Sequence, residues 1–187
     1  MPRVAILASH NGSGFIALYE AMRSGKLSIE IPLVISNNSS AKALETATAY
    51  GIKNFAINTK TEANPDIAIE QLLYKYGCDF VFLSGYMKKV APNITQNFKV
   101  INSHPALLPN YGGAGMYGRF VHEAVIKNGE KVSGITLHEV DENYDEGKII
   151  LQKKLSLAKD ETANSLETKI KELEKIAIVE AFQALIS

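Results

Sequence analysis

Short apolar runs alternate with helix-like segments through the first hundred residues, and this alternation constrains the fold of the chain most strongly. The predicted strands cover residues 4–8, 29–35, 53–57, 80–83 and 99–102, and the predicted helices between them cover 15–23, 41–50 and 62–76. Strands that alternate with helices favour a parallel sheet with helices on both of its faces. We therefore predict an α/β fold with a three-layer, mostly parallel, doubly wound sheet.

The C-terminal half has a different pattern. Residues 132–140 and 148–154 are predicted strands, and the short acidic loop between them permits an antiparallel pair. A final helix is predicted over residues 162–185. The chain has no internal repeat or linker, and 187 residues can bury roughly 70% of their unfolded surface, so we expect a single domain over residues 1–187.

The charge balance and the apolar runs exclude several classes of protein. Twenty basic residues balance twenty acidic ones, which argues against a nucleic-acid or membrane-surface binder. The N-terminus lacks a signal-peptide pattern and no apolar run is long enough to span a membrane, so we expect a cytoplasmic protein. The single cysteine, Cys78, precedes a buried strand and is interpreted as a packed thiol. The four histidines lack metal-ligand spacing, and no metal is predicted.

A polar segment, Asn102-Ser103-His104-Pro105, stands at the end of a predicted strand. Side chains alternate along a strand, so Asn102 and His104 project from the same side, and Pro105 ends the strand because it has no N–H to donate. An amide donor beside a titratable imidazole suits chemistry on a carbonyl carbon.

The loop from Asp141 to Gly147 contains four acidic residues, most of which are interpreted as solvated. Asp145 is the exception, because Gly147 would let the chain turn sharply back into a strand and so fix the preceding carboxylate. A carboxylate held there could orient His104 and favour its protonated form.

The turn Asn11-Gly12-Ser13-Gly14 follows a strand and opens a helix. Free backbone N–H groups and a helix N-terminus favour phosphate binding, whereas the alternative is a tight connection capped by Ser13. The turn has neither a dinucleotide-binding nor a P-loop pattern. Residues 11–14, 84–89 and 102–104 all follow predicted strands, so we expect them to converge on one crevice.

Two further histidines have competing interpretations. His138 could face that crevice, but a half-buried structural histidine is favoured. His122 lies in an amphipathic helix and is assigned no catalytic role. A Ser-His-Asp hydrolase is disfavoured, since Ser13 lacks the G-x-S-x-G pattern of a nucleophile elbow.

The segment from Asn102 to Pro109, together with the distant Asp145, resembles the folate-dependent formyltransferases, and the resemblance covers almost the whole chain. The short length and the turns at residues 11–13 and 84–87 are similar to those of family members that formylate glycinamide ribonucleotide. The length leaves no room for the extra domain of the relatives that act on tRNA. The resemblance implies a Rossmann-like formyltransferase fold, purine biosynthesis, 10-formyltetrahydrofolate as co-substrate, and a monomer or homodimer without metal.

The resemblance also implies the roles of individual residues. Asn102, protonated His104 and Asp145 would be catalytic, with the first two donating to an oxyanion formed by direct attack of the amine. The ribonucleotide would be bound by Gly12, Ser13, Gly14, Gly85, Met87 and Glu174. The folate would be bound by Met87, Lys88, Lys89, Val90, Asn102, Val140, Asp141 and Asp145.

Three departures from the usual pattern of the family accompany the resemblance. Gly14 replaces a common asparagine, Ser103 puts a hydroxyl on the buried face of its strand, and residues 111–118 are longer and richer in glycine. Two alternatives remain open: a formyltransferase for another small amine, such as an amino-sugar nucleotide, and a non-catalytic ligand-binding domain of the same fold.

Overall fold

A computed structural model of the chain describes residues 1–143 and 145–187. The strands in this part of the chain are β1 (Val4–Leu7), β2 (Leu33–Ser36), β3 (Lys53–Ala56), β4 (Phe80–Leu83), β5 (Lys99–His104), β6 (Val132–Glu139) and β7 (Ile149–Ser156). The helices are α1 (Ser13–Arg23), α2 (Lys42–Ala49), α3 (Pro65–Lys75), α4 (Pro92–Thr95), α5 (Arg119–Lys127) and α6 (Ala163–Ile186). The chain divides into two compact units, Met1–Ile101 and Asn102–Ser187.

The first unit contains a parallel doubly wound sheet. Its strand order is β3-β2-β1-β4-β5, and the pairs β1–β2, β1–β4 and β2–β3 are parallel. The chain runs outward from β1 to β3 and then returns to place β4 on the other side of β1. The strand order therefore reverses between β1 and β4, the position at which such sheets bind ligands.

The elements β2 and α3 begin several residues later than predicted. β2 begins at Leu33 instead of residue 29, because Pro32 cannot donate a ladder hydrogen bond and only an isolated bridge precedes it. α3 begins at Pro65 instead of residue 62, because the Asn64 side chain accepts the Ile67 N–H at 3.3 Å and Pro65 suits the first helical position. The four-residue helix α4 was not predicted, since it is too short to show a period.

The second unit contains the predicted antiparallel element. β6 pairs antiparallel with β7, in a register that joins Ile135 to Lys153 and shifts between Leu137 and His138. The long helix α6 packs against this pair, and Thr162 begins it with a capping box.

The predicted α/β fold class is confirmed, with a mostly parallel sheet and an antiparallel pair in the C-terminal half. The interpretation of Cys78 as a packed thiol is confirmed too, because the residue is buried and its burial raises the pKa of the thiol to about 11. None of the helices in the described residues combines the length and the apolar character that a membrane crossing requires. The single domain over residues 1–187 stays a prediction.

Candidate active site

The turn between β1 and α1 exposes backbone donors at the start of a helix. Gly12 occupies the N-cap with a φ of 69°, a left-handed conformation that glycine adopts without steric cost. In the described chain, the N–H groups of Ser13 and Gly14 have no hydrogen-bond partner, and no acidic residue lies in the first turn. The alternative in which Ser13 caps the helix is wrong, because Ser13 is the first helical residue and makes no capping bond.

The turn after β4 is bound directly to the turn after β1. Ser84 Oγ accepts the Phe15 N–H at 3.0 Å, which satisfies one further donor of the helix N-terminus. Ser9 donates its N–H to the Gly85 carbonyl at 3.2 Å, and its hydroxyl accepts the Met87 N–H at 2.8 Å. The two turns therefore lie side by side where the strand order reverses.

The residues after this turn differ in exposure. The Met87 side chain is 49% exposed, Lys88 and Lys89 are exposed, and Val90 is buried. The first unit therefore presents the half-exposed Met87 beside two exposed lysines.

In the second unit, Asp145 lies beside His104 at the end of β5. Asp145 Oδ1 is 3.6 Å from His104 Nδ1, and Asp145 Oδ2 accepts the Gly113 N–H at 2.9 Å. The carboxylate is therefore fixed by a backbone donor while its other oxygen faces the imidazole. The structure brings these two sequence-predicted residues together across forty residues of chain.

The second ring nitrogen of His104 also faces an oxygen. His104 Nε2 donates to the Tyr111 carbonyl at 2.7 Å, and the histidine is only 4% exposed. Tyr111 adopts a φ of 56°, and its hydroxyl donates to Glu130 and accepts from Asn128. The backbone contact to the imidazole is thus held by an anchored tyrosine.

His138 contacts both Asn102 and Asp145. Its Nδ1 donates to the Glu139 carbonyl at 3.0 Å, so its Nε2 can accept from Asn102 Nδ2 at 3.2 Å. Burial lowers the pKa of His138, which favours the neutral ring that this bonding requires. Its Nε2 is also 3.6 Å from Asp145 Oδ1.

The favoured interpretation of His138 as a merely half-buried structural histidine is therefore incomplete. The residue is 1% exposed and is bonded to a candidate catalytic side chain. The sequence does not show which contacts the imidazole makes, because the register shift before His138 is not visible in it.

The Glu174 carboxylate on α6 accepts a hydrogen bond from a side chain of β5. Ser103 Oγ donates to Glu174 Oε1 at 2.7 Å. Burial raises the pKa of the Glu174 carboxyl, and the Ser103 hydrogen bond opposes that shift.

The loop that carries Asp145 is shaped differently from the prediction. Asp145 itself takes the left-handed conformation, with a φ of 57°. Gly147 is required for a different reason, because its backbone lies close to that of Glu139. A Cβ at position 147 would lie 1.7 Å from the Glu139 carbonyl oxygen. Asp141 is exposed and its Oδ1 accepts the Asn143 N–H, whereas Val140 is half-buried. Tyr144, which belongs to the same acidic loop, lies outside the described residues.

A buried threonine fixes the segment after β5. Thr136 Oγ1 accepts the Leu108 N–H at 3.1 Å and donates to the Ala106 carbonyl at 2.7 Å. Gln152 Nε2 donates to the Leu108 carbonyl at 2.9 Å, and the Leu108–Pro109 peptide bond is cis. These contacts hold the chain immediately beyond His104.

His122 lies in α5, as predicted, and is buried. Its Nδ1 has no hydrogen-bond partner among the residues that the structure describes, and burial lowers its pKa. The same residues contain no group of three or more histidine, cysteine or acidic side chains that could hold a metal ion.

Comparison with known proteins adds to this geometry. Residues 2–182 match the sequence profile of the family described as Formyl transferase. The chain belongs to this family.

Named relatives within the formyl transferase family are similar over nearly the whole chain. Phosphoribosylglycinamide formyltransferase of Bacillus subtilis is 33% identical, over 93% of this chain and 89% of the relative. The chloroplastic enzyme of that name from Arabidopsis thaliana is 33% identical over 98% of this chain, but the chain spans only 65% of its length. The crystal structure of phosphoribosylglycinamide formyltransferase from Bacillus halodurans has a TM-score of 0.89 and 33% identity, and the match covers 99% of this chain and 95% of that one.

Proposed function

We propose that the chain transfers the formyl group of 10-formyltetrahydrofolate to the amine of glycinamide ribonucleotide, a step of purine biosynthesis. The observation that carries this proposal is the contact of Asp145 Oδ1 with His104 Nδ1, beside an Asn102 amide held by His138. Relatives named phosphoribosylglycinamide formyltransferase, at 33% identity over most of the chain, support the choice of substrate.

Two donors serve the oxygen that becomes negative. The neutral amine attacks the formyl carbon, and the carbonyl electron pair moves to its oxygen. Asn102 gives one amide hydrogen to His138, which leaves the other for this oxyanion. His104 Nε2 provides the second donor. In the free protein, His104 Nε2 donates to the Tyr111 carbonyl oxygen at 2.7 Å, and we assign the formyl oxygen to the same position. When the substrate binds, the formyl oxygen therefore replaces the Tyr111 carbonyl as the acceptor of this hydrogen bond.

Asp145 supports His104 and the transfer of the proton. An acceptor faces each ring nitrogen of His104, an arrangement that suits the doubly protonated imidazolium. The attacking nitrogen must lose a proton and the folate nitrogen must gain one as the intermediate collapses. We assign this transfer to the Asp145 carboxylate acting through a water molecule, which takes a proton from the first nitrogen and gives one to the second. No covalent enzyme intermediate forms.

The ribonucleotide is assigned to two sets of residues. The N–H groups of Gly12, Ser13 and Gly14 bind its phosphate, favoured by the positive end of the α1 dipole. Glu174 accepts hydrogen bonds from the ribose hydroxyls, and Gly85 and Met87 position the glycinamide end.

The folate is assigned to apolar and backbone groups. These are Met87, Val90, Asn102, Val140, Asp141 and Asp145, with Lys88 and Lys89 for its glutamate tail. Four expectations remain predictions beside this proposal. They are the absence of nucleic-acid and membrane partners, a cytoplasmic location, a monomeric or homodimeric state, and a single functional domain over residues 1–187.

A direct assay tests the proposed reaction. The purified chain is incubated with 10-formyltetrahydrofolate and glycinamide ribonucleotide, and the change in folate absorbance follows tetrahydrofolate release. We expect release only when both substrates are present. Release with an amino-sugar nucleotide but not with glycinamide ribonucleotide would replace the proposed substrate. No release with either amine, despite measurable binding of the ribonucleotide, would favour a non-catalytic binding domain.

A further inference from the structure

Ser103 stands between the two candidate catalytic residues of β5, but its side chain makes a different contact. Its hydroxyl donates to Glu174 Oε1 on α6 at 2.7 Å. Asn102 and His104, its neighbours in the strand, instead contact His138 and Asp145. One short strand segment therefore connects the proposed oxyanion donors to the carboxylate that we assign to the ribose.

The Glu174 carboxyl depends on this hydroxyl for its hydrogen bonding. Within the described residues, Ser103 is its only hydrogen-bond partner, so Oε2 has none. Two groups around the carboxyl favour its ionised form: the hydroxyl of Ser103 on β5 and the cation of Lys171 on α6. Burial acts in the opposite direction and raises the pKa.

We propose that Ser103 is a positioning residue, which holds Glu174 ionised and in one orientation for the vicinal diol of the ribonucleotide. This inference rests on the function proposed above. An ionised carboxylate offers about four acceptor sites, of which the Ser103 hydroxyl uses one. The remaining sites on both oxygens can accept from two adjacent sugar hydroxyls, and such bonds to a charged acceptor are stronger than neutral ones.

The replacement Ser103→Ala tests this role. Without the hydroxyl, Glu174 loses a fixed rotamer and its pKa rises further, so the carboxyl binds a proton at higher pH. We expect the KM for glycinamide ribonucleotide to rise about tenfold at neutral pH. The KM for 10-formyltetrahydrofolate and kcat should change less than twofold. Ser103→Thr keeps a hydroxyl and should restore most of the affinity.

The pH dependence separates positioning from a general structural effect. In the parent protein, the KM for the ribonucleotide should rise as the pH falls through the pKa of Glu174. In Ser103→Ala the same rise should begin at higher pH. Thr168→Ala, which removes an exposed hydroxyl from α6, is the matched control and should leave the profile unchanged.

Inhibition by sugar phosphates tests whether Glu174 recognises the vicinal diol of the ribose. Inhibition constants for ribose 5-phosphate and 2-deoxyribose 5-phosphate are compared in the parent protein, Ser103→Ala and Glu174→Gln. The parent should prefer the ribose compound, and both replacements should reduce that preference.

The outcomes for the two proposals are distinguishable. An active parent protein whose Ser103→Ala variant keeps its KM, its pH profile and its preference for the diol overturns the role of Ser103 alone. An equal loss in kcat and in both KM values, unrelieved by Ser103→Thr, also overturns it. A parent protein that does not formylate glycinamide ribonucleotide overturns the proposed function itself.

Discussion

Replacing Asp145 by asparagine removes one negative charge from the candidate site with almost no change of shape. The asparagine oxygen can still accept the Gly113 N–H that Asp145 Oδ2 accepts now. The loop should therefore keep its conformation, and the melting temperature should change little. What the variant loses is the charge that faces His104 Nδ1 at 3.6 Å.

The expected loss of activity follows from that distance. Two unit charges 3.6 Å apart interact by about 4–5 kcal/mol at an effective dielectric constant of about 20. The carboxylate side chain is 12% exposed, so solvent screens part of this interaction. Since about 1.4 kcal/mol corresponds to a tenfold change in rate, we expect kcat to fall by a factor of about 10²–10³.

Steady-state kinetics with saturating substrates measures this change, and thermal unfolding shows whether the variant is folded. Glu146→Gln is the matched control, because it neutralises an exposed carboxylate of the same loop. It should retain activity within about twofold. A folded Asp145→Asn variant with more than a tenth of the parent kcat would refute the argument that this charge supports the protonated His104.

Three further predictions concern stability. Gly147→Ala should unfold at lower temperature and lose activity, because its Cβ meets a backbone carbonyl oxygen at 1.7 Å; an unchanged melting curve would contradict this. Thr136→Val should cost about 1–3 kcal/mol in urea unfolding, since two buried backbone groups lose their partner. The folded-state pKa of buried His122 is lowered, so the unfolded chain binds more protons and the free energy of unfolding should fall as the pH drops below about 6.5. His122→Phe should make this fall shallower between pH 7.5 and 5.5, and an equal slope would exclude the contribution.

The fold class could be predicted because the alternation of strands and helices is encoded in short stretches of neighbouring residues. The strands β1, β2 and β4 are short apolar runs, and β1 and β2 are buried along their whole length. Boundaries were wrong where one residue decided them, as Pro32 does for β2 and Asn64 for α3. In the site, the contact of Asp145 with His104 was expected from chemistry, and the structure places the two side chains together.

Other contacts of the site could not be read from the sequence. The Tyr111 carbonyl reaches His104 because Tyr111 takes a left-handed conformation, which its residue type does not predict. The pairing of Ser103 with Glu174 joins side chains 71 residues apart through the packing of a helix on a sheet. A hydroxyl on a buried face indicates that a hydrogen-bond partner is present, but the sequence does not show which residue provides it.

Asp145 lies between two imidazoles that differ in the hydrogen-bond partners of their ring nitrogens. Its Oδ1 is 3.6 Å from His104 Nδ1 and equally far from His138 Nε2. A second proton on His138 would occupy the nitrogen that accepts from Asn102, and burial opposes that charge. His104 has no such conflict, because both of its nitrogens face oxygen acceptors. In the proposed mechanism, the neutral His138 orients Asn102 and the carboxylate stabilises a positive His104, so that Asn102 and His104 provide the two donors.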